Sequence, residues 1–292
     1  MEEDVVVICR KRIDNLSMED KEELFHAYLD ESESATNGIY VVGGFVGEAE
    51  VWRELEPKWL ACMPSGISSF HATDCFTGNN EFEGVGISTR VALLHELTSM
   101  VANRDLSLVS YGIDALSYKT LAGKPKRNEF LGNKYAGPFG GVVELACKVM
   151  GNVPGPLDWK ILEDGDDWEK CAFFIESSEY DQSARATIAG MRICSDLWYR
   201  NRIGRDIYGV KNGPHAIPML QVADLGVYLA TKYRTNAPEG KISWKPYYEK
   251  LKSAGRVYTT VLADAHSLEV LKETHDELRK EAAEGRHYWD DI

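Results

Sequence analysis

Three carboxylates in this chain stand where such groups meet metal ions. Asp30 and its neighbour Glu31 end a short apolar run in AYLDESESA, residues 27–35. Glu176 closes CAFFIE, whose apolar run must be buried, so its carboxylate emerges at the edge of a sheet. Ligand crevices in α/β sheets lie outside the carboxyl ends of strands. Asp224 lies in PMLQVADLGVYL, on a helical face shared with Leu220, Gln221, Val227 and Tyr228. A carboxylate among apolar residues is costly unless it is paired, hydrogen-bonded or bound to a metal. A buried tyrosine or a backbone amide answers that need as well as a cation does. Hard divalent cations, Mg²⁺ or Mn²⁺, take carboxylate oxygens. A two-metal site, with ions ~3.5–4 Å apart, needs carboxylates converging from different elements. Successive strand residues point to opposite faces, so Asp30 is the expected ligand and Glu31 its accessory.

Other groups widen the set. His71 and Asp74 in FHATD have the types for a general base or for a partner that orients a ligand. A loop histidine capped by a nearby carboxylate is the plainer reading. Asp114 ends VSYGID as a fourth carboxylate or a turn cap, and His215 lies just upstream of the Asp224 helix. Lys119, Lys124, Lys126, Arg127 and Lys134 oppose only Glu129, a local balance of +4. Arg200, Arg202, Arg205 and Lys211 oppose Asp206, a balance of +3. Phosphate attraction is one use of such loops, and Lys124, Lys126 and Arg127 are the expected phosphate contacts. Solvation or a subunit contact is the other use.

Several elements have to position these groups. HAYLD and GIYVVGGFV read as the strands of a hairpin joined through residues 32–38. EAEVWRELEPKWLACM has helical spacing complicated by Pro57. SSFHATDCF reads as a strand end or tight loop. ISTRVALLHELTSMVANR has the helical period, and LSLVSYGID reads as a strand. FGGVVELACKVMG, QSARATIAGMRICSDLWY and IPMLQVADLGVYLATKY read as helices, the last with Pro218 near its first turn. Ser17 with Asp20 resembles a capping box. A Gly-rich connection is expected before Pro218, and acidic helices are expected toward the end. Strands alternating with helices after a hairpin indicate an α/β protein with a mixed sheet.

Composition narrows the class. Of 292 residues, 44% are hydrophobic, enough for a sizeable core. The net charge is −13, from 33 basic and 46 acidic residues, so nucleic-acid contact has to be local. The sequence shows no secretory signal pattern, no run of membrane-spanning length and no C-x-x-C pair among six scattered cysteines. A cytoplasmic protein with reduced thiols and no membrane partner is expected.

YLDES, IYVVGGFV, FHATD, FFIES and PMLQVADLGVYL, in that order between Ala27 and Tyr233, resemble the domain-of-unknown-function family 3800. That family is similar to the ribonuclease H-like fold, whose nucleases hold Mg²⁺ with strand and helix carboxylates. The resemblance implies Asp30, Glu176 and Asp224 as the core acidic positions, with His71 and Asp74 as accessories. The expected fold is thus a ribonuclease H-like α/β mixed sheet opened by a β-hairpin, flanked by helices and decorated by a helical C-terminus. The expected organisation is an N-terminal extension over 1–25, the α/β domain over 26–235 and an acidic helical extension over 236–292. The expected function is Mg²⁺- or Mn²⁺-dependent phosphodiester hydrolysis on nucleic acid, with Asp30, Glu176, Asp224 and His71 as the catalytic group. The alternatives are a non-catalytic nucleic-acid or protein binding module on the same scaffold, or an assembly protein that pairs, as a homo-oligomer, through its acidic C-terminal helices.

Overall fold

The opening hairpin forms, and it is longer than its apolar run. β1 (Phe25–Glu33) and β2 (Ile39–Glu48) pair antiparallel from Phe25↔Glu48 to Glu33↔Tyr40. Asp30 and Glu31 therefore lie inside the strand and do not end it. The β-branched and aromatic start of β2 keeps pairing past them, against Gly43 and Val42. The computed structural model describes residues 25–34, 38–114, 135–150, 171–176, 184, 203–210, 217–238 and 240–262.

The remaining elements are α1 (Ala49–Ala61), α2 (Ala72–Thr77), α3 (Ile87–Ala102), β3 (Ser107–Asp114), α4 (Ala136–Met150), β4 (Cys171–Glu176), β5 (Ile203–Val210), α5 (Met219–Arg234), α6 (Lys245–Ser253) and β6 (Val257–Leu262), with a 3₁₀ turn at Asn80–Phe82. The six described strands form one mixed sheet in the order β5-β4-β1-β2-β3-β6. β2 alone runs against the others; the β1–β4, β4–β5 and β3–β6 pairings are parallel.

The two faces of the sheet bury different helices. Ala27, Leu29, Val42, Val109 and Phe173 pack under α4. Tyr28, Phe45, Leu108 and Phe174 pack under α5. Every residue of α5 from Met219 to Thr231 is buried, because α1, α2, α3 and α6 supply a further layer over it. A helix that is apolar all round is one buried on all sides. Gly226 permits its close seat: a Cβ there would stand 2.5 Å from Phe45 Cε2 and 2.9 Å from Leu108 Cδ1. Pro57 lies inside α1 without ending it.

Three expectations need correction. FHATD is no strand end: α2 begins at Ala72 with His71 as its N-cap. Residues 203–210, read as part of a connection, form β5, whose place beside β4 comes from a parallel pairing that local spacing does not reveal. The boundary at 235 does not divide the sheet, since β6 pairs with β3. Its β-branched sequence, VYTTVL, suits a strand. The N-terminal extension, the helix expected over 182–199 (apart from Ala184) and everything after Leu262 lie outside the described residues.

A buried histidine under α1 makes acid stability testable. His26 lies beside Phe174, ring centroids 5.1 Å apart, and Trp52 Nε1 donates to its carbonyl at 3.0 Å. Its Nε2 is buried and has no hydrogen-bond partner among the described residues. Burial, with a smaller contribution from the Arg53 charge, lowers its pKa from 6.5 to about 4. The unfolded chain therefore binds this proton more readily than the folded one. The His26 contribution is at its full value above 6.5 and is lost as pH falls from there to about 4, at no more than ~1.4 kcal/mol per pH unit. His26→Phe is expected to flatten that part of the acid slope in urea unfolding. An acid slope identical to the parent's removes His26 as the cause.

Candidate functional site

β1 and β4 run parallel in register, from Phe25↔Cys171 to Leu29↔Ile175. Asp30 and Glu176 are the next position on each strand. Strand alternation places Asp30 on the face of Tyr28, whose ring stacks on Phe174 at 4.7 Å on the α5 side. Adjacent strands lie ~4.8 Å apart, so the backbones of positions 30 and 176 lie side by side. The side chain of Glu176 lies outside the described residues. Across the sheet the same row continues through Gly43 and Ser110. A Cβ on Gly43 would stand 2.7 Å from Ser110 Cβ and 2.8 Å from the Val109 carbonyl oxygen. Small residues thus keep the floor beside Asp30 low.

Glu31 follows Leu29 in alternation and takes the α4 face. Asp114 ends β3 opposite Ile39, four residues beyond the Ser110 row, which is ~13 Å along the strand. The structure brings neither of them to Asp30.

Asp224 is placed differently. It lies two residues from Gly226, which seats on the sheet, and two helical residues differ by ~200°. Asp224 is consequently turned toward residues 70–76, where its Oδ2 accepts a hydrogen bond from the Ala72 amide at 2.6 Å. This is the backbone amide that an aspartate on a buried face needs. One turn earlier, Gln221 Oε1 accepts from Trp59 Nε1 and from the Phe70 amide, both at 3.0 Å. One turn later, Tyr228 stacks on Phe76 at 4.9 Å. Burial first and the Asp224 charge second push the Tyr228 phenol up to about 12.

The stripe Gln221, Asp224, Tyr228 therefore holds the start of α2 along its length. His71 sits between the two clamped amides and remains exposed, with Nδ1 3.4 Å from Asp74 Oδ2. Asn80 Nδ2 donates to Asp74 Oδ1 at 2.9 Å, fixing that carboxylate from behind. Asp74 Oδ2 and Oδ1 thus face a histidine and an amide respectively. Such a chain can orient an imidazole for proton transfer.

The structure so places the backbone of position 176 beside Asp30 on the sheet, and gathers His71, Asp74 and Asp224 around α2. His215, Lys124, Lys126 and Arg127 lie outside the described residues. Among the described residues, no three His, Cys, Asp or Glu side chains gather closely enough to hold an ion. Positions 30 and 176 both carry carboxylates in the sequence, and Mg²⁺ commonly takes one or two protein carboxylates.

Sequence reasoning missed Gln221 and Asn80 as parts of this arrangement. The signal for Gln221 was present: an amide one turn before Asp224 on a buried face also requires partners. Asn80 carried no comparable signal, because its value arises from the left-handed turn (φ 46°) that brings it back to Asp74. No described helix is long and apolar enough to cross a membrane. Comparison with family models, with curated proteins and with solved structures finds no match to this chain.

Proposed function

We propose that the chain is a divalent-metal-dependent phosphodiester hydrolase acting on nucleic acid, built on a ribonuclease H-like version of this α/β sheet. The observation that carries the reading is the adjacency of positions 30 and 176 on parallel strands, facing the helix that bears Asp224. Asp30 and Glu176 would hold Mg²⁺ or Mn²⁺. Such an ion, when bound, polarises a phosphoryl oxygen and acidifies its water. His71 presents Nε2, the ring nitrogen turned from Asp74, for proton transfer. Asp74 sets the ring orientation, and Asn80 holds Asp74. Asp224 contributes its charge and anchors the backbone at Ala72, which fixes where His71 stands. The hydrogen bond from the Ala72 amide to Asp224 also favours a second reading, a non-catalytic nucleic-acid binding module in which that carboxylate serves as scaffold.

Hydrolysis of bis(p-nitrophenyl) phosphate and of labelled DNA and RNA, in Mn²⁺ or Mg²⁺ against chelator, separates the two readings. Metal-dependent turnover together with a metal-induced rise in unfolding temperature is expected. Binding of nucleic acid without any metal-dependent turnover would leave the second reading standing.

A further inference from the structure

Residues 232–256 carry Lys232, Arg234, Lys241, Lys245, Lys250, Lys252 and Arg256 against Glu239 and Glu249, a balance of +5 in a chain of net charge −13. Several of these cations are tied into the fold. Arg234 bonds to Thr259 on β6, Lys250 donates to Ser99 on α3, and Arg256 pairs with Asp105. Lys241, Lys245 and Lys252 are exposed. The Lys252–Glu249 contact is 4.0 Å long between two largely exposed side chains, so it neutralises little.

Aromatic rings interleave with these charges. Tyr233, on the last turn of α5, stacks on Tyr248 of α6 with centroids 4.2 Å apart and planes 15° apart. Trp244 meets it edge-on at 6.5 Å. Lys252 Nζ lies 5.6 Å from the Tyr233 ring, and Lys245 Nζ lies 5.9 Å from the Trp244 ring. Tyr248 is buried and its pose is set by the core, so the Tyr233 ring is held as a fixed plane although 37% of the residue is exposed. A rigid exposed aromatic among cations is the arrangement that stacks a base and neutralises its flanking phosphates. A folded duplex offers no free base face to such a ring, whereas a single strand does.

We infer that the surface formed by the last turn of α5 and by α6 binds single-stranded nucleic acid, with Tyr233 as the stacking platform and Lys245 and Lys252 as phosphate contacts. Tyr233 lies nine residues along α5 from Asp224, ~13 Å along the axis and about half a turn around it. The inference deepens the proposed function by naming its substrate class, and the binding step itself needs no metal.

The test is fluorescence anisotropy of the full chain in chelator, with a labelled single-stranded DNA, its RNA counterpart and the matching duplex. Single strands are expected to bind more tightly than duplex; the DNA and RNA arms show which sugar is preferred. Tyr233→Ala is expected to weaken strand binding ~5- to 150-fold, the fold-change that one stacked base carries. Tyr233→Phe, which keeps the ring, is expected to bind as the parent does. Lys245→Gln with Lys252→Gln should lower the salt slope by ~1.4, while Lys58→Gln on α1 should lower it by none. Should Tyr233→Ala fail to fold, the lysine pair on the exposed surface decides alone. The inference is overturned if the parent binds no single strand, if duplex binds tighter, if Tyr233→Ala binds like the parent, or if the slope is indifferent to the lysine pair. An acidic peptide bound with the same Tyr233 dependence would overturn it in favour of a protein partner. Hydrolysis of bis(p-nitrophenyl) phosphate by the parent involves no strand, so failure here and failure of the metal reading are seen separately.

Discussion

Asp30→Asn is expected to lower metal-dependent phosphodiester cleavage by more than ~100-fold, since loss of even an outer partner of a metal ligand costs ~10- to 100-fold. The same change should shift stability in chelator by ~1 kcal/mol or less, because Asp30 is only partly buried and Asn has nearly its volume. Asp224→Asn should behave in the opposite sense. Its carboxylate accepts the Ala72 amide at 2.6 Å in the interior, a charge-assisted bond. Weakening that bond is expected to cost ~1–3 kcal/mol in chelator, and its effect on turnover follows from displacement of residues 70–74. Urea unfolding in chelator and turnover at saturating Mn²⁺, measured on both variants, give the contrast. Full turnover by Asp30→Asn would end the metal assignment at the β1–β4 pair. Asp224→Asn with parental stability in chelator but no metal response would return Asp224 to the ligand set.

Gly44→Ala is expected to be the most damaging single methyl group in the sheet. Gly44 pairs with Leu29 in the hairpin, one residue before Asp30. A Cβ at Gly44 would run into the Tyr28 carbonyl oxygen and stand 2.9 Å from its carbonyl carbon and 3.0 Å from Leu29 Cα. These are backbone atoms, with no flexible side chain to move aside. Relief requires β1 and β2 to separate, which also breaks the alignment of Asp30 with position 176. A loss of ~3 kcal/mol, at the upper end of overpacking costs, is expected in urea unfolding, with turnover falling alongside it. Gly240→Ala, where an added Cβ meets nothing within 4 Å, is the neutral control. A Gly44→Ala protein as stable as that control would show that the two strands do not approach so closely.

The elements easiest to read from sequence were those whose signal is local and periodic. The hairpin, α3, β3, β4 and α5 all lie where alternation or helical spacing put them. β5 and β6 were missed because each gains its strand character from a parallel neighbour distant in sequence, β4 for one and β3 for the other. The resemblance of the short motifs to a family with a ribonuclease H-like fold proposed which carboxylates to consider. It could not say which of them stand next to each other.

By itself, then, the sequence determined that the chain is α/β, that CAFFIE is buried and ends in a carboxylate, and that Asp224 rides a buried helical face and must find a partner. Residue type and period suffice for those conclusions, because burial of apolar side chains fixes the period and an interior charge demands compensation. Only the tertiary structure decided that β1 continues through Asp30, that position 176 lies beside it, and that Asp224 turns away from the sheet. On a helix buried on every side, the stripe Gln221, Asp224 and Tyr228 does not by itself show which neighbour it faces. Its orientation was set by the Gly226 seat on Phe45 and by the amides of Phe70 and Ala72, contacts that span more than a hundred residues of chain.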